Sequence, residues 1–219
     1  MEHERQLREF LVRSISELGL DLTEEKIEQF MLYLEQLLQW NKVTNLTSIK
    51  DPHEIASKHF IDSLTALAAT DFPSHAIVID VGAGAGFPGI PLKIARSDLE
   101  LVLVEPTKKK CSFLSSVVGS LKLTDVSIFP GTLQQYVAQT EYIQSDVMVV
   151  RALRFDEIEE QAMKVLKKMG KAVLYRADKI RISSVPSGFV IQSEKSFSLP
   201  MNHGHRVVSV LTKSIDAAN

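Results

Sequence analysis

Apolar residues recur three and four positions apart through the first 75 residues and then change rhythm. Leu7, Phe10, Leu11, Ser14, Ile15 and Leu18 keep helical spacing, and Gly19 is placed to stop that helix. Thr23 stands where an N-cap belongs, ahead of a second apolar stripe of Ile27, Phe30, Met31, Leu34, Leu37 and Leu38. The following Trp40-Asn-Lys-Val-Thr-Asn-Leu-Thr47 is polar enough to predict an ordered loop. Asp51-Pro52 then opens a third helix carrying Ile55, His59, Phe60, Leu64 and Leu67, which Phe72-Pro73 ends.

From Ala76 onward, short continuous apolar runs alternate with helical stretches. Ala76–Val81 and Leu99–Val104 read as strands buried on both faces of a parallel sheet, and Val126–Phe129, Asp146–Val150 and Ala172–Tyr175 continue the series. Helices are predicted after Pro88, over Thr107–Leu121, around Leu133–Val137, and over Phe155–Met169 with Gly170 as its stop. Phe189–Ser193 and Arg206–Thr212 are strand-like with only a hairpin connection between them. Parallel strands need crossover helices, so the pattern predicts an α/β fold with a Rossmann-like, mostly parallel, doubly wound sheet and an antiparallel edge. Residues 1–75 read as an N-terminal helical extension and 76–219 as the ligand-binding domain. Open sheets of this kind bind ligands beyond the carboxyl ends of their strands. Chemistry is therefore expected in the loops after Val81, Val104, Phe129 and Val150.

Composition narrows the class. With 219 residues and 45% hydrophobic content the chain suits one α/β domain, and no apolar run approaches a membrane span of ~18 residues. Met1-Glu-His-Glu-Arg5 runs straight into a charged helical pattern, so no signal peptide is expected. Cys111 is the only cysteine, which excludes an internal disulfide and a cysteine-cluster metal site. A cytoplasmic, metal-free enzyme acting as a monomer is the expectation. The net charge is −2, but residues 1–75 hold 7 Lys/Arg against 13 Asp/Glu, and the remainder hold 18 against 14. The second part is thus the one expected to face an anion.

Asp80-Val-Gly82-Ala-Gly84-Ala-Gly86-Phe-Pro-Gly89 follows the first strand of the alternating region. Three glycines at every second position permit a sharp turn and close approach of a ligand to the backbone. Gly84-x-Gly86-x-x-Gly89 formally matches the dinucleotide fingerprint, so an NAD-binding oxidoreductase is one reading. That frame starts beyond the strand, however, and its helix would contain Pro88 and Pro91. The frame that begins at Asp80 includes an acid, which suits a cationic ligand such as S-adenosyl-L-methionine and sits badly against a pyrophosphate. Glu105, ending the second strand, is placed to accept ribose hydroxyls, a role that serves either cofactor.

Arg151 ends a later strand at the rim of this expected pocket. It would order the loop, bind a cofactor carboxylate or meet substrate phosphate, with a surface salt bridge as the competing reading. Lys108, Lys109 and Lys110 stand at a helix start on the same edge of the sheet, where they could hold RNA phosphates. No Gly-x-Ser-x-Gly, Walker A or His-Glu-x-x-His pattern occurs. His203 and His205 have poor support as metal ligands, and Cys111 reads as packing.

Three stretches together carry a resemblance: Trp40-Asn41-Lys42-Val-Thr-Asn45-Leu46-Thr47, Lys58-His59-Phe60-Ile-Asp62-Ser63-Leu64, and Asp80 through Leu92. They resemble the bacterial glucose-inhibited division protein B family, also called the small-subunit ribosomal RNA methyltransferase G family, over roughly residues 20–213. The resemblance implies a class I S-adenosylmethionine-dependent methyltransferase fold. It also implies methyl transfer to N7 of a guanine in 16S ribosomal RNA, with that RNA or the small ribosomal subunit as partner. Methylation of another RNA or of a small molecule is the alternative. By position, Gly82 and Phe87 would line the methionine and adenosine sites, Leu133 and Gln134 would lie against adenine, and Arg151 would close the pocket. Asn41, Asn45, His59 and Asp62 would stand at the pocket mouth as positioning residues. Members often have Asp-Ser where this chain has Glu105-Pro106, and Leu-Lys-Gly where it has Leu174-Tyr-Arg176-Ala. The first departure keeps the carboxylate; the second leaves Arg176 as the basic candidate facing RNA.

Overall fold

The computed structural model describes residues 2–139 and 141–214. Helix α1 (Glu2–Glu17) buries Leu7, Phe10, Leu11, Ser14 and Ile15, and Gly19 leaves it at φ +76°, a conformation open to glycine. Helix α2 (Glu24–Thr44) buries Ile27, Phe30, Tyr33, Leu34 and Leu37.

The predicted loop over 40–47 is largely helix, because α2 continues to Thr44. Trp40 packs edge-on against Phe113 at 5.7 Å, and the Thr44 hydroxyl donates to the Trp40 carbonyl at 2.6 Å. Asn45 then ends the helix in the left-handed conformation, φ 49°. Polar residues on the outer face of a helix had the look of a loop, but the half-buried Trp40 indole faces the core.

The third predicted helix is three pieces: α3 (Pro52–Ile55), a π turn over Ala56–Ile61, and α4 (Asp62–Ala69). Asp51 caps the first piece by accepting from the Glu54 amide at 2.9 Å. A π turn is wider than an α turn and shifts the side-chain register, which is why such turns recur at functional sites. Here it carries Lys58 and His59 and delivers the chain directly to Asp62.

Among the described residues, seven strands form one sheet in the order β3-β2-β1-β4-β5-β7-β6. They are β1 (Ile77–Val81), β2 (Glu100–Val104), β3 (Val126–Phe129), β4 (Ser145–Arg151), β5 (Leu166–Arg176), β6 (Phe189–Ser198) and β7 (His205–Lys213). The first five pair in parallel, and β7 is antiparallel to both β5 and β6. Crossovers are supplied by α5 (Gly89–Ala95), α6 (Lys108–Ser120), α7 (Leu133–Val137) and α8 (Glu159–Val165). The doubly wound expectation is met, with the strand order reversing between β1 and β4.

One helix boundary differs from the sequence reading. The helix predicted over 155–169 is a 3-10 turn (Phe155–Glu157) followed by α8, and β5 already begins at Leu166. Gly170 lies inside this strand. Ser145 pairs with Leu166 and Val147 with Lys171, so residues 167–170 bulge from the ladder, with Met169 at φ 64°. Lys164, Lys167 and Lys168, three and four positions apart, kept a helical spacing that hid the bulge.

The helices α1, α2 and α4 do not stand apart from the sheet. Leu11, Phe30, Tyr33, Phe60 and Leu64 share one continuous core with Val78, Leu101, Val149 and Val208 on one sheet face. The opposite face packs Ile79, Val102, Met148 and Leu174 against α7 and α8. Each fully buried aliphatic or aromatic side chain here is worth about 1.5–3 kcal/mol.

Candidate active site

The loop after β1 is built for tight approach. Gly82, Gly84 and Gly86 all have positive φ, at +72°, +61° and +92°. A Cβ on Gly82 would sit 2.7 Å from Leu153, and one on Gly86 would meet Ile90 and the Tyr33 hydroxyl. The Phe87-Pro88 bond that follows is cis.

Nearly every amide of this loop is already engaged within the protein. The Gly82 and Ala83 amides donate to the Val104 carbonyl, and those of Gly86 and Phe87 to the Ala83 carbonyl. Gly84 donates to Glu105 Oε2 at 2.8 Å, and Gly89 to Asp80 Oδ2 at 2.8 Å. Glu105 Oε1 also accepts from Thr107 at 2.8 Å. The two acids therefore act first as the struts of the loop, Asp80 beneath its helix end and Glu105 beside its turn. Asp80 is fully buried, and its Oδ1 has no hydrogen-bond partner. Burial pushes its carboxyl up to about 7, with Glu105 adding to the rise and the Gly89 amide and Arg151 opposing it.

A groove of about 440 Å³ opens at the carboxyl ends of β1, β2 and β3, lined by Gly82, Glu105, Leu133, Gln134 and Lys110 among others. Thr132 caps α7 there with a reciprocal capping box to Gln135, which fixes the turn that presents Leu133 and Gln134. The groove thus unites Gly82, Glu105, Leu133 and Gln134 from the expected cofactor set. Lys108 and Lys109 are exposed on the adjoining first turn of α6, and Arg176 lies beyond Leu153 with its Nε donating to the Asp178 carbonyl at 3.1 Å.

The remaining predicted residues gather on the helical side of the loop. Phe87 is buried, with His59 stacked on it at 4.6 Å, Tyr33 at 5.3 Å, and the Arg151 guanidinium 5.2 Å above its ring. Arg151 donates to Asp62 at 3.2 Å and to the Lys58 carbonyl at 3.3 Å. Asn41 clamps Thr47 through both its amide and its carbonyl, at 2.8 and 3.0 Å. The Lys58 carbonyl, 3.2 Å from His59 Nδ1, can only accept, so Nδ1 carries the proton of the neutral ring and Nε2 accepts from the Thr47 hydroxyl at 2.9 Å; that hydroxyl also accepts from the Ile49 amide. That network assigns the Nδ1–H tautomer. Burial, reinforced by the Arg151 charge, pulls His59 down to about 3, so its ring is neutral. Asn45 contributes a left-handed helix end rather than a hydrogen bond seen here.

Three contributors escaped the sequence reading. The Tyr33 hydroxyl donates to the Ala85 carbonyl in the glycine loop, linking α2 to the turn. Its place between Phe30 and Leu37 on the buried face of α2 was the available signal. Arg206, at the start of β7, grips Asp62 with two bonds of 2.6 and 2.9 Å. Leu153 leans over Gly82 from the segment after β4, just past Ala152 at φ 65°.

The family model described as GidB, rRNA small subunit methyltransferase G, matches residues 26–210. The chain belongs to this family. A ribosomal RNA small subunit methyltransferase G from Lachnoclostridium phytofermentans is 31% identical over 211 residues, covering 92% of this chain and 87% of the relative. In fold, this chain is similar to TrmN from Thermus thermophilus. There the TM-score is 0.55 at 12% identity, over 80% of this chain and 52% of that one. A precorrin-6y C5,15-methyltransferase from Geobacter metallireducens gives a TM-score of 0.51 at 13% identity, over 78% and 92%. The fold is that of the class I methyltransferases. Among the described residues no helix is long and apolar enough to cross a membrane.

Proposed function

We propose that this chain transfers a methyl group from S-adenosylmethionine to N7 of a guanine in 16S ribosomal RNA. The observation that carries the choice of cofactor is the accounting of loop amides. A dinucleotide's pyrophosphate needs free N–H donors at such a turn, but the amides of Gly82, Ala83, Gly84, Gly86, Phe87 and Gly89 already have acceptors. Two carboxylates stand beside the same turn and would repel phosphate. A nucleoside cofactor without phosphate, carrying positive charge, matches a turn whose amides are engaged and which has acids beside it. Asp80, buried with Oδ1 unpaired and its carboxyl pushed up to about 7, is only part-ionised at neutral pH, and a cation on that side would favour its charged form.

When bound, S-adenosylmethionine supplies an electrophilic methyl group on its sulfonium. Glu105 uses one lone pair of each oxygen on the loop and retains others for the ribose hydroxyls. Leu133 and Gln134 would flank the adenine, and Gly82 leaves room for the chain of the cofactor. Guanine N7 has a free lone pair and no proton, so the residues need supply no general base. Their work is to hold two reactants in line. His59 suits that work because the methylated base becomes a cation, which a neutral imidazole on Phe87 does not repel.

Substrate RNA would be met at α6. Its first turn holds Lys108, Lys109 and Lys110 and no acid, the reverse of what a helix N-terminus favours. Three lysines kept against the helix dipole make a strongly positive edge next to the groove, fitted to phosphate. Incubating the protein with labelled S-adenosylmethionine and undermethylated small ribosomal subunits tests the reading. Label in 16S RNA that maps to N7 by chemical cleavage is expected. A protein that binds the cofactor but labels no RNA would refute the substrate assignment.

A further inference from the structure

On the outer side of the N-terminal helices lies a hollow of about 800 Å³, larger than the cofactor groove. Leu7 of α1 and Met31 and Leu38 of α2 line it, and Leu32 stands at its lip with 36% of its surface exposed. Glu28, Glu35 and Asp51 also line it, and among the described residues no lysine or arginine does. Arg8 pairs with Glu28 from outside the hollow, but the surrounding residues 1–75 still hold 13 acids against 7 bases. An apolar slot with an acidic margin has a defined complement: an amphipathic helix whose flanks are basic. Nucleic acid is repelled by this margin, and so is a second copy of the same face.

A protein that resides on ribosomal RNA must present lysine and arginine to neutralise phosphates. The substrate particle therefore offers the required chemistry. We propose that this hollow docks a basic amphipathic helix of a protein on the small ribosomal subunit, so that the acidic helices read protein while the lysine edge reads RNA. This rests on the methyltransferase reading above. The division of charge along the chain then has a purpose at both ends of one substrate.

The test compares Leu32→Lys/Glu35→Lys with wild type and with Val43→Lys. Val43 is an exposed apolar residue of the same helix, outside the hollow. Dissociation constants are measured for purified small subunits by co-sedimentation and for phenol-extracted 16S RNA by filter binding. Loss of two contacts at an interface anchor predicts about a tenfold weaker hold on subunits, with the RNA value unchanged and Val43→Lys like wild type. Cofactor affinity should be the same in all three. Should Leu32→Lys impair folding, Glu35→Lys alone is expected to weaken subunit binding roughly threefold, as a margin charge would. Equal affinities of variant and wild type for subunits would overturn the proposal. So would a parallel loss on subunits and extracted RNA, or a wild type that prefers neither. Failure of the methyltransferase reading would be seen separately, as wild-type protein that binds subunits and transfers no label.

Discussion

Asp62 offers the sharpest test of how the helices are fastened to the sheet. Its side chain is fully buried, while Arg151 and Arg206 keep 16% and 21% of theirs exposed. Three charge-assisted contacts of 2.6, 2.9 and 3.2 Å converge on its two oxygens. Asp62→Asn preserves shape but removes the charge and places an NH2 group against a guanidinium. Breaking a buried ion pair from one side costs ~3–5 kcal/mol, and the residual water at both arginines favours the lower end, about 3 kcal/mol. For a chain of this size that corresponds to a fall of roughly 6–12 °C in Tm. Urea unfolding followed by far-UV circular dichroism reads the change directly. A double-mutant cycle with Arg206→Met should then recover a coupling of about 1 kcal/mol or more. A loss below about 1 kcal/mol for Asp62→Asn would mean the site behaves as an exposed ion pair, and the reasoning would fail.

Tyr33→Phe keeps the aromatic stack but leaves the Ala85 carbonyl without its donor. It should weaken cofactor binding about fivefold by calorimetry, from the ~1 kcal/mol of one hydrogen bond; unchanged affinity with lowered Tm would assign Tyr33 to packing alone. Replacing Lys108, Lys109 and Lys110 with glutamine should reduce the slope of log affinity against log salt for RNA by about 2. An unaltered slope would remove α6 from the RNA path. Asp80 predicts a pH effect in the cofactor-free protein. The unfolded chain loses this proton near pH 4, the folded chain near 7. The unfolded state thus binds fewer protons between those values, and stability falls as pH rises through that window. Asp80→Asn should lack this decline; urea midpoints at pH 4.5 and 7.5 that differ equally in both proteins would contradict it.

The parallel strands were legible because burial on both faces leaves continuous apolar runs, as in residues 77–79 and 101–104. The glycine turn and Glu105 were legible because backbone at positive φ, and a carboxylate at a strand end, leave distinct residue types behind. What stayed hidden depends on contacts across long separations. Asp62 and Arg206 lie 144 residues apart, and neither neighbourhood alone predicts a partner. The π turn over Ala56–Ile61 conserves helical spacing closely enough to pass as an α-helix. Tyr33 reads as ordinary stripe material until its hydroxyl is seen to reach the Ala85 carbonyl. Similarly, the start of β5 at Leu166 is decided by pairing with Ser145 rather than by local preference.

The grip of Arg206 on Asp62 also sets an order of events. Translation proceeds at ~5–20 residues per second, so the glycine turn and α2 leave the ribosome several seconds before β7 does. Until β7 pairs with β5 and β6, the Asp62 carboxylate lacks its bidentate partner, and Arg151 must hold it alone. The last long strand to be made is therefore the one that locks the first helices in place. A chain cut short before Arg206 would own every residue of the groove at the strand ends and still lack the latch that keeps His59 and Phe87 beside it.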